Sequence, residues 1–312
     1  MARAYGANAH LLGKFESVYG TPLVGNYIIF PFVSSTLGSE QGLISSDLLG
    51  TGRDPAQPMR DVIKVEGDVV VPVDVRNFGH WLKALLGAPT TTGTGPHIHT
   101  YQSGVTSLPS LSLEVGMPEA SAFFMNMGVR VNSMQLSFAR SGGASATLNC
   151  IAQGESRAAA SAGGTPIEAA ITRFNQFQGS VKKDGAQLGN VTGAQLTYSN
   201  NLERIETIRP DGKIDGADPT IAALTGSIEV RFADTALIDA ATNNTPVELQ
   251  FGYVIDANRS LLFTAHQVYL PKPKLSISGP AGVQASFNWQ AAKPDTGQML
   301  TVTLTNDVED YT

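Results

Sequence analysis

Two stretches of the chain share one grammar. "GDVVVPVDVRNFGHWLKALLG" (Gly67–Gly87) and "GSIEVRFADTALIDAATNN" (Gly226–Asn244) each read as a strand running straight into a short helix. In the first, Val69, Val71 and Val73 fall on one strand face and Asp68, Val70, Pro72 and Asp74 on the other. At a constant offset of 159, Ile228, Val230 and Phe232 take the valine positions, and Ser227, Glu229, Arg231 and Ala233 take the opposite face. A chance match of composition does not preserve which set points inward.

The helices correspond as well. Phe78, Trp81, Leu82 and Leu85 recur at i, i+3, i+4 and i+7 and form one apolar stripe. Asn77 is placed to cap the helix, and Gly87 to take the left-handed conformation after its last turn. In the second copy Asp234 or Thr235 can cap, Leu237 replaces Phe78, Ala240 and Ala241 replace Trp81 and Leu82, and Asn243 or Asn244 ends the helix. The thinner stripe predicts a closer approach by whatever packs over it.

The similarity extends both ways. Upstream, "YIIFPFVSST" (Tyr27–Thr36) matches "GAQLTYSNNL" (Gly193–Leu202), and each is followed by a long loop ending in Asp-Pro, at Gly50–Pro55 and Asp215–Pro219. Downstream, the segment from Val129 resembles the segment from Val268, both being strand, Gly-rich turn and strand. The pattern predicts an internal duplication of one mainly-β module. The expected boundaries are a first module over 1–155, a linker over 156–170 in the low-complexity stretch "GESRAAASAGGTPIEAA", and a second module over 171–312. At 312 residues each half is long enough to bury its own core.

Composition narrows the function classes. Charged residues make up 15% of the chain, against roughly 25% for soluble proteins in general, which points to an exterior largely covered by partners, because interface cores are depleted of charge. Net charge is −6, with 10 basic and 11 acidic residues over 1–160 and 11 basic and 16 acidic over 161–312. No basic patch is available to neutralise phosphates, so stable nucleic-acid binding is disfavoured. No apolar run approaches the roughly 20 residues needed to cross a bilayer, and the first twenty residues lack a signal peptide's apolar core. The expectation is a chain made and folded in a cytoplasm, with its one cysteine, Cys150, a buried strand thiol.

Catalytic constellations are missing. His97 and His99 lie on one strand face, but no nearby Cys, Asp or Glu completes a metal ligand set. "DGKIDGADP" (Asp211–Pro219) has acidic residues without the alternating ligands and terminal Glu of a calcium loop. "SGGAS" and "SGPAG" are turn glycines that open no phosphate-cradling helix. No cofactor, no metal and no enzymatic activity are expected.

Taken in order, "YGTP", "LLGTGRDP", "GDVVVPVDVRNFGHWLKALLGAPTTTGTG", "LPSLSLEVGMP", "RFNQFQGSVKKDG", "NVTGAQLTYSNNLERIETIRPDGKIDGADP", "LTGSIEVRFADTALI" and "LTVTLTNDVEDY" cover nearly the whole chain, from about Tyr19 to Tyr311. The set resembles the tail tube (major tail) proteins of long non-contractile-tailed bacteriophages and related prophages. The resemblance implies a β-sandwich or half-barrel module with one flanking short helix, contributing strands to a β-barrel closed by all subunits of a ring. Single-module members form six-fold rings; a chain with two tandem modules is expected to close the same ring with three copies, a ring of six being the alternative. The implied setting is the virion, with the protein made in the host cytoplasm. The implied partners are further copies of the chain, the tape measure protein, and the tail terminator and distal tail proteins. DNA passes through without specific binding, and no membrane is involved. Adhesive or carbohydrate-binding proteins of a virion surface and β-rich hydrolases are the competing classes; 7% aromatic content argues against the first and the missing site against the second.

Two surfaces follow as expectations. A conducting wall should be neutral or anionic, which nominates Asp68, Asp74 and Glu229 as lumen-facing, with Arg231 paired to a carboxylate. Pro72 interrupts hydrogen bonding in the first strand where Arg231 stands in the second, so the two modules are not interchangeable within the wall. The loops over 38–58 and 203–219 are long enough to need a function, and are expected to reach the next ring through Gly50, Arg53, Asp54, Asp211, Lys213, Asp215 and Asp218, helped by the terminal arms Met1–Gly13 and Asn306–Thr312.

Overall fold

The computed structural model describes residues 3–50, 52–275, 277, 279 and 282–311. The first half of the chain contributes β1 (His10–Phe15), β2 (Ile28–Ile29), β3 (Ser34–Ser35), β4 (Gly38–Ile44) and β5 (Met59–Pro72), then helix α1 (Phe78–Leu86). It continues with β6 (Thr90–Thr92), β7 (His97–Gln102), β8 (Leu111–Met117), β9 (Ala122–Phe138), β10 (Ser145–Ala152) and β11 (Gly154–Ala158). The second half contributes β12 (Gly179–Lys183), β13 (Ala186–Gln187), β14 (Val191–Ser199), β15 (Glu203–Ile205), β16 (Gly216–Asp218) and β17 (Ala223–Arg231). Helix α2 (Ala236–Thr242) follows, then β18 (Val247–Asp256), β19 (Arg259–Tyr269), β20 (Gln284–Ala291) and β21 (Leu300–Asn306).

The fold is mainly β, and two extended ladders dominate it. One, called the wall below, runs β3/β4–β5–β10–β9–β14–β17–β20 with every pairing antiparallel. The other runs β12–β18–β19–β21–β7–β6. Strand β9 is 17 residues long and serves two sheets: its first part pairs with β8 and β11, its second with β10 and β14. The bend between them falls at Gly128, whose φ of 66° suits a residue without a Cβ. No sheet closes on itself among the described residues, and no helix among them is long and apolar enough to cross a membrane.

Alternation explains the packing. Val69, Val71, Val73, Ile228 and Val230 are buried, and their neighbours across the ladder, such as Leu148, Leu136, Leu196 and Phe287, join the same hydrophobic cluster. Side-chain period and backbone pairing agree in both halves. Pro72 ends β5 opposite Ser145 rather than interrupting it, and Arg231 ends β17 opposite Gln284. The ladders match in register: Pro72↔Ser145 becomes Arg231↔Gln284 on adding 159 to the first strand and 139 to the second. The bulge between Leu111 and Leu113 against β9 has its equivalent between Val247 and Leu249 against β19. The register corrects one sequence match. Ser35↔Val69 and Gly38↔Glu66 correspond to Ala194↔Ile228 and Thr197↔Thr225, so Gly193–Leu202 aligns from Ser34 onward, with β3 and the start of β4, and not from Tyr27. Matching by residue class slipped because short polar strands carry little pattern.

The two helices differ more than their stripes suggest. Every residue of α1 except His80 is buried, whereas α2 buries Leu237 alone. Asn77 makes no capping bond with its side chain. The N-terminus of α1 is held instead by Asp74, whose Oδ2 accepts from the backbone N–H of Arg76 (3.1 Å) and Asn77 (2.9 Å) and from Asn77 Nδ2 (2.9 Å). The C-terminal segment covers the helix. Tyr311 is 1% exposed and donates from its hydroxyl to Arg76 O (2.6 Å), while Asn306 Nδ2 donates to that hydroxyl (2.7 Å) and to Val75 O (2.7 Å). Its ring meets His80 and His99 edge-on at 4.9 and 4.7 Å. Only glycine fits at position 79, since a Cβ there would sit 2.2 Å from Tyr311 Cζ.

The terminal arms, expected to help reach the next ring, are partly folded onto the chain itself, while residues 3–8 are exposed. His10–Gly13 belong to β1, paired with β8, and Asn306–Tyr311 fold back on the chain's own helix; Met1, Ala2 and Thr312 lie outside the described residues. Removing the Tyr311 ring should destabilise the single chain. We expect Tyr311→Ala to cost about 3–5 kcal/mol, seen as a lowered Tm of unassembled protein. An unchanged Tm would mean that the arm is free to act elsewhere.

Candidate functional site

The face of the wall turned away from the core is built mostly of uncharged polar side chains in cross-strand rows, with Asp68, Glu229 and Arg231 as charged exceptions. One row crosses all seven strands: Ser34, Val70, Thr147, Gln135, Thr197, Thr225 and Gln290. The next runs Asp68, Asn149, Ser133 and Ser199, and another Ser137, Gln195, Ser227 and Asn288. These residues alternate with the buried set along each strand, so their placement follows from the same period-two pattern that builds the core. Ser, Thr, Asn and Gln present dipoles and hydroxyls to solvent and offer no fixed charge for a phosphate to pair with.

The candidate lumen residues divide on this surface. Asp68 is exposed on it and accepts from Asn149 Nδ2 at 2.8 Å. Glu229 is exposed in a row with Gly193 and Ser286. Arg231 is exposed at the strand end, and no ion pair joins it to a carboxylate among the described residues. Asp74 is no part of the face. It is fully buried beneath the start of α1, where burial pushes its carboxyl up against the three hydrogen bonds that hold it down. Parity placed it with Asp68, but the strand ends at Pro72 and the alternation ends with it.

At one end of the wall the two long loops meet. The first is a β-hairpin rather than an irregular loop: β4 pairs with β5 from Gly38↔Glu66 out to Ile44↔Met59. It exposes an unusual number of large apolar side chains, including Leu43, Ile44, Leu48, Leu49, Met59 and Val62. The second loop carries the ribbon β15–β16 and exposes Ile208 and Ile221. An ion pair between Glu66 and Arg204 ties the two, and a cleft of about 330 Å³ lies between them, lined by Val62, Ile63, Val65, Ile208, Ile214 and others.

The named loop residues have different surroundings. Gly50 (φ 88°), Arg53 and Asp54 are exposed near the hairpin tip. Asp211 and Asp215 clamp Arg209: Asp211 accepts from its Nε and Nη2 at 2.9 and 3.0 Å, and Asp215 from its Nη1. Hydrogen bonding to Arg209 holds the Asp211 carboxyl down at about 2. Asp218 pairs with Arg130 at 3.0 Å, and Lys213 lines the cleft. These carboxylates shape the loop from within.

Elsewhere, groups able to do chemistry are committed to structure. His99 is fully buried: its Nε2 donates toward Val308 O (2.9 Å) and Asn306 Oδ1 (3.1 Å), and its Nδ1 lies 2.9 Å from Thr91 Oγ1. It anchors the C-terminal segment, which a polar strand face did not foretell. His80 is pushed down to about 4, chiefly by burial and then by Lys83, and the buried Cys150 thiol is pushed up to about 12. No group of three or more His, Cys, Asp or Glu is placed to hold a metal among the described residues.

A family model described as phage tail tube protein matches residues 6–291. No curated protein matches the chain. The match spans both halves: the chain belongs to the phage tail tube protein family, whose members are structural components rather than enzymes.

Proposed function

We propose that the chain polymerises into stacked rings that form the bore of a phage tail, three chains to a ring, with the polar face of the wall lining the channel through which DNA passes. The observation that carries this is the wall itself. It crosses both halves of the chain, buries the inward side chains of its central strands, presents mostly uncharged polar rows on the other face, and ends on each side in a strand with little or no outer pairing. The equal registers of the two halves support two tandem copies of one module, with the β9–β14 ladder as a junction between modules inside the chain. Three chains carrying two modules each then give pseudo-six-fold symmetry.

The dimensions agree. Seven wall strands, with the segment after β19 as an eighth, give about 24 strands in a ring of three. At a spacing of about 4.8 Å the circumference is about 115 Å and the diameter about 37 Å, before strand tilt widens it. That accommodates a DNA duplex. A wall mostly of hydroxyls and amides, with Asp68 and Glu229 among them and Arg231 at a strand end, gives a phosphate few fixed counter-charges, and such contacts would otherwise multiply over many rings. Placing lysine at Gln135, Gln195 and Thr197 should leave tubes intact while slowing DNA ejection, with recovery in added salt. Normal, salt-independent ejection would place this face elsewhere.

Stacking falls to the exposed hairpin β4–β5, Gly50, Arg53 and Asp54 at its tip, and the neighbouring loop with Asp211, Lys213, Asp215 and Asp218. Their exposed apolar side chains form the kind of patch that marks an interaction surface. Deleting residues 46–56 should leave a folded, soluble chain that forms no long tubes in electron micrographs; unaltered tube length would remove the hairpin from the stacking contact. The tape measure protein, the tail terminator and the distal tail protein are the further partners on this proposal, and the virion is its location.

A further inference from the structure

Strand β20 pairs with β17 along its whole length on one side, but on the other it meets β19 only at Ala291↔Val268 and Gln290↔Tyr269. The chain then leaves the ladder over Leu270–Leu275, with Leu275 37% and Ile277 80% exposed. In the first half the corresponding strand continues. There β9 lies between β10 and β14, and its Met134, Leu136 and Phe138 are buried. The pairing Val268↔Ala291 falls 139 residues beyond the matching positions of β9 and β10, and this places Pro273, Leu275 and Ile277 at the sites of Met134, Leu136 and Phe138. The second half thus holds, at positions equivalent to the core-facing ones of β9, side chains that no strand among the described residues pairs.

The complementary edge is at the other end of the same wall. β3 and the start of β4 stand to β5 as β14 stands to β17, but no strand among the described residues pairs with their outer side. Their outward N–H groups are held by side chains: Ser35 Oγ accepts from Leu37 N (3.3 Å), and Glu155 Oε2 from Ser39 N (3.1 Å). Those are the donors that, in β14, face β9.

We infer that Lys272–Leu275 and Ile277 of one chain form a strand against Ser35–Glu40 of a second copy, in the register of the β9–β14 junction. Ala194↔Phe138, Leu196↔Leu136 and Ser199↔Ser133 then become Ser35↔Ile277, Leu37↔Leu275 and Glu40↔Lys272. Two features support this register. Leu275 meets Leu37, which is already 7% exposed on the core side, and Glu40 and Lys272 are opposite charges in a directly facing pair, the arrangement that stabilises cross-strand neighbours. The prolines keep only the acceptor half of each bonding pair. Asn132 O accepts from Asn200 N, so positions 132 and 134 of β9, and 271 and 273 by equivalence, turn their backbone groups toward the incoming edge. Pro271 and Pro273 still offer carbonyls there while removing two N–H groups, which leaves the free segment a poorer template for wrong partners.

This rests on the ring proposed above, and a cross-link separates the two. Glu40 and Lys272 are exposed, and a non-hydrogen-bonded facing pair brings Cα atoms to about 4.5 Å, within disulfide range. Oxidising the Glu40→Cys/Lys272→Cys variant should convert most of the chain to a covalent species of three, reversed by reductant, while Glu40→Cys/Lys274→Cys should cross-link far less. Equal cross-linking by the two variants would overturn the register. No cross-link in the first variant would overturn the ladder, whether or not electron micrographs show tubes. A cross-linked three-chain species from protein that never forms tubes would uphold the ladder and reject the stacked tube.

Discussion

Backbone hydrogen bonding at strand edges governs this molecule. Each strand carries donors and acceptors on both sides, and a buried or interface strand left unpaired loses about as much as a broken hydrogen bond at each group. Inside the chain the demand is met at the β9–β14 ladder, where one half's strand completes the other's sheet. At the two ends of the wall it is unmet, apart from two N–H groups held by side chains. On the proposal made above, a sheet with one satisfied internal junction and two open ends of matching register satisfies itself by joining copies of the chain in a circle.

The rest of the chain positions that wall. The second ladder supplies the aromatic and aliphatic layer, with Phe251, Phe263, Tyr253 and Leu304 packed in the cluster that also holds Leu196, Ile228 and Phe287. Helix α1 seals the first half, fixed at its start by Asp74 and covered by Tyr311 and Phe30. Helix α2, with only Leu237 sunk, lacks such a cover. The two halves thus share a backbone plan while differing in what closes over it, and their differences lie away from the polar face. The polar rows are built alike from both halves, whereas the parts away from them carry the variation.

What could be read from the sequence follows the same physics. The period-two pattern identified Val69, Val71, Val73, Ile228 and Val230 as buried, and the helical stripe of α1, because side-chain period depends only on local backbone geometry. It marked Asp68, Glu229 and Arg231 as solvent-facing for the same reason. It misplaced Asp74, since a carboxylate two residues past a strand end is free to turn inward and cap a helix, and nothing in the alternation marks where the strand stops. Tyr311 was not singled out, and His99 was weighed only as a metal ligand, because the partners that fix them lie more than two hundred residues away in the chain. The offset of β14 was missed through weak pattern, and the uncharged rows emerge only once pairing aligns Gln135, Thr197 and Thr225. The two long loops were visible by length and composition; that one is a hairpin bristling with apolar side chains was not.

The central claim is that one chain supplies two sixths of a ring. The most direct measurement is the number of complete chains in a single ring, from the rotational symmetry of end-on electron micrographs together with the native mass of isolated rings. Three chains, with strong pseudo-six-fold features and true three-fold symmetry, is the predicted result. Six complete chains to a ring would contradict it, because the wall would then hold twice the strands that the matched registers allow.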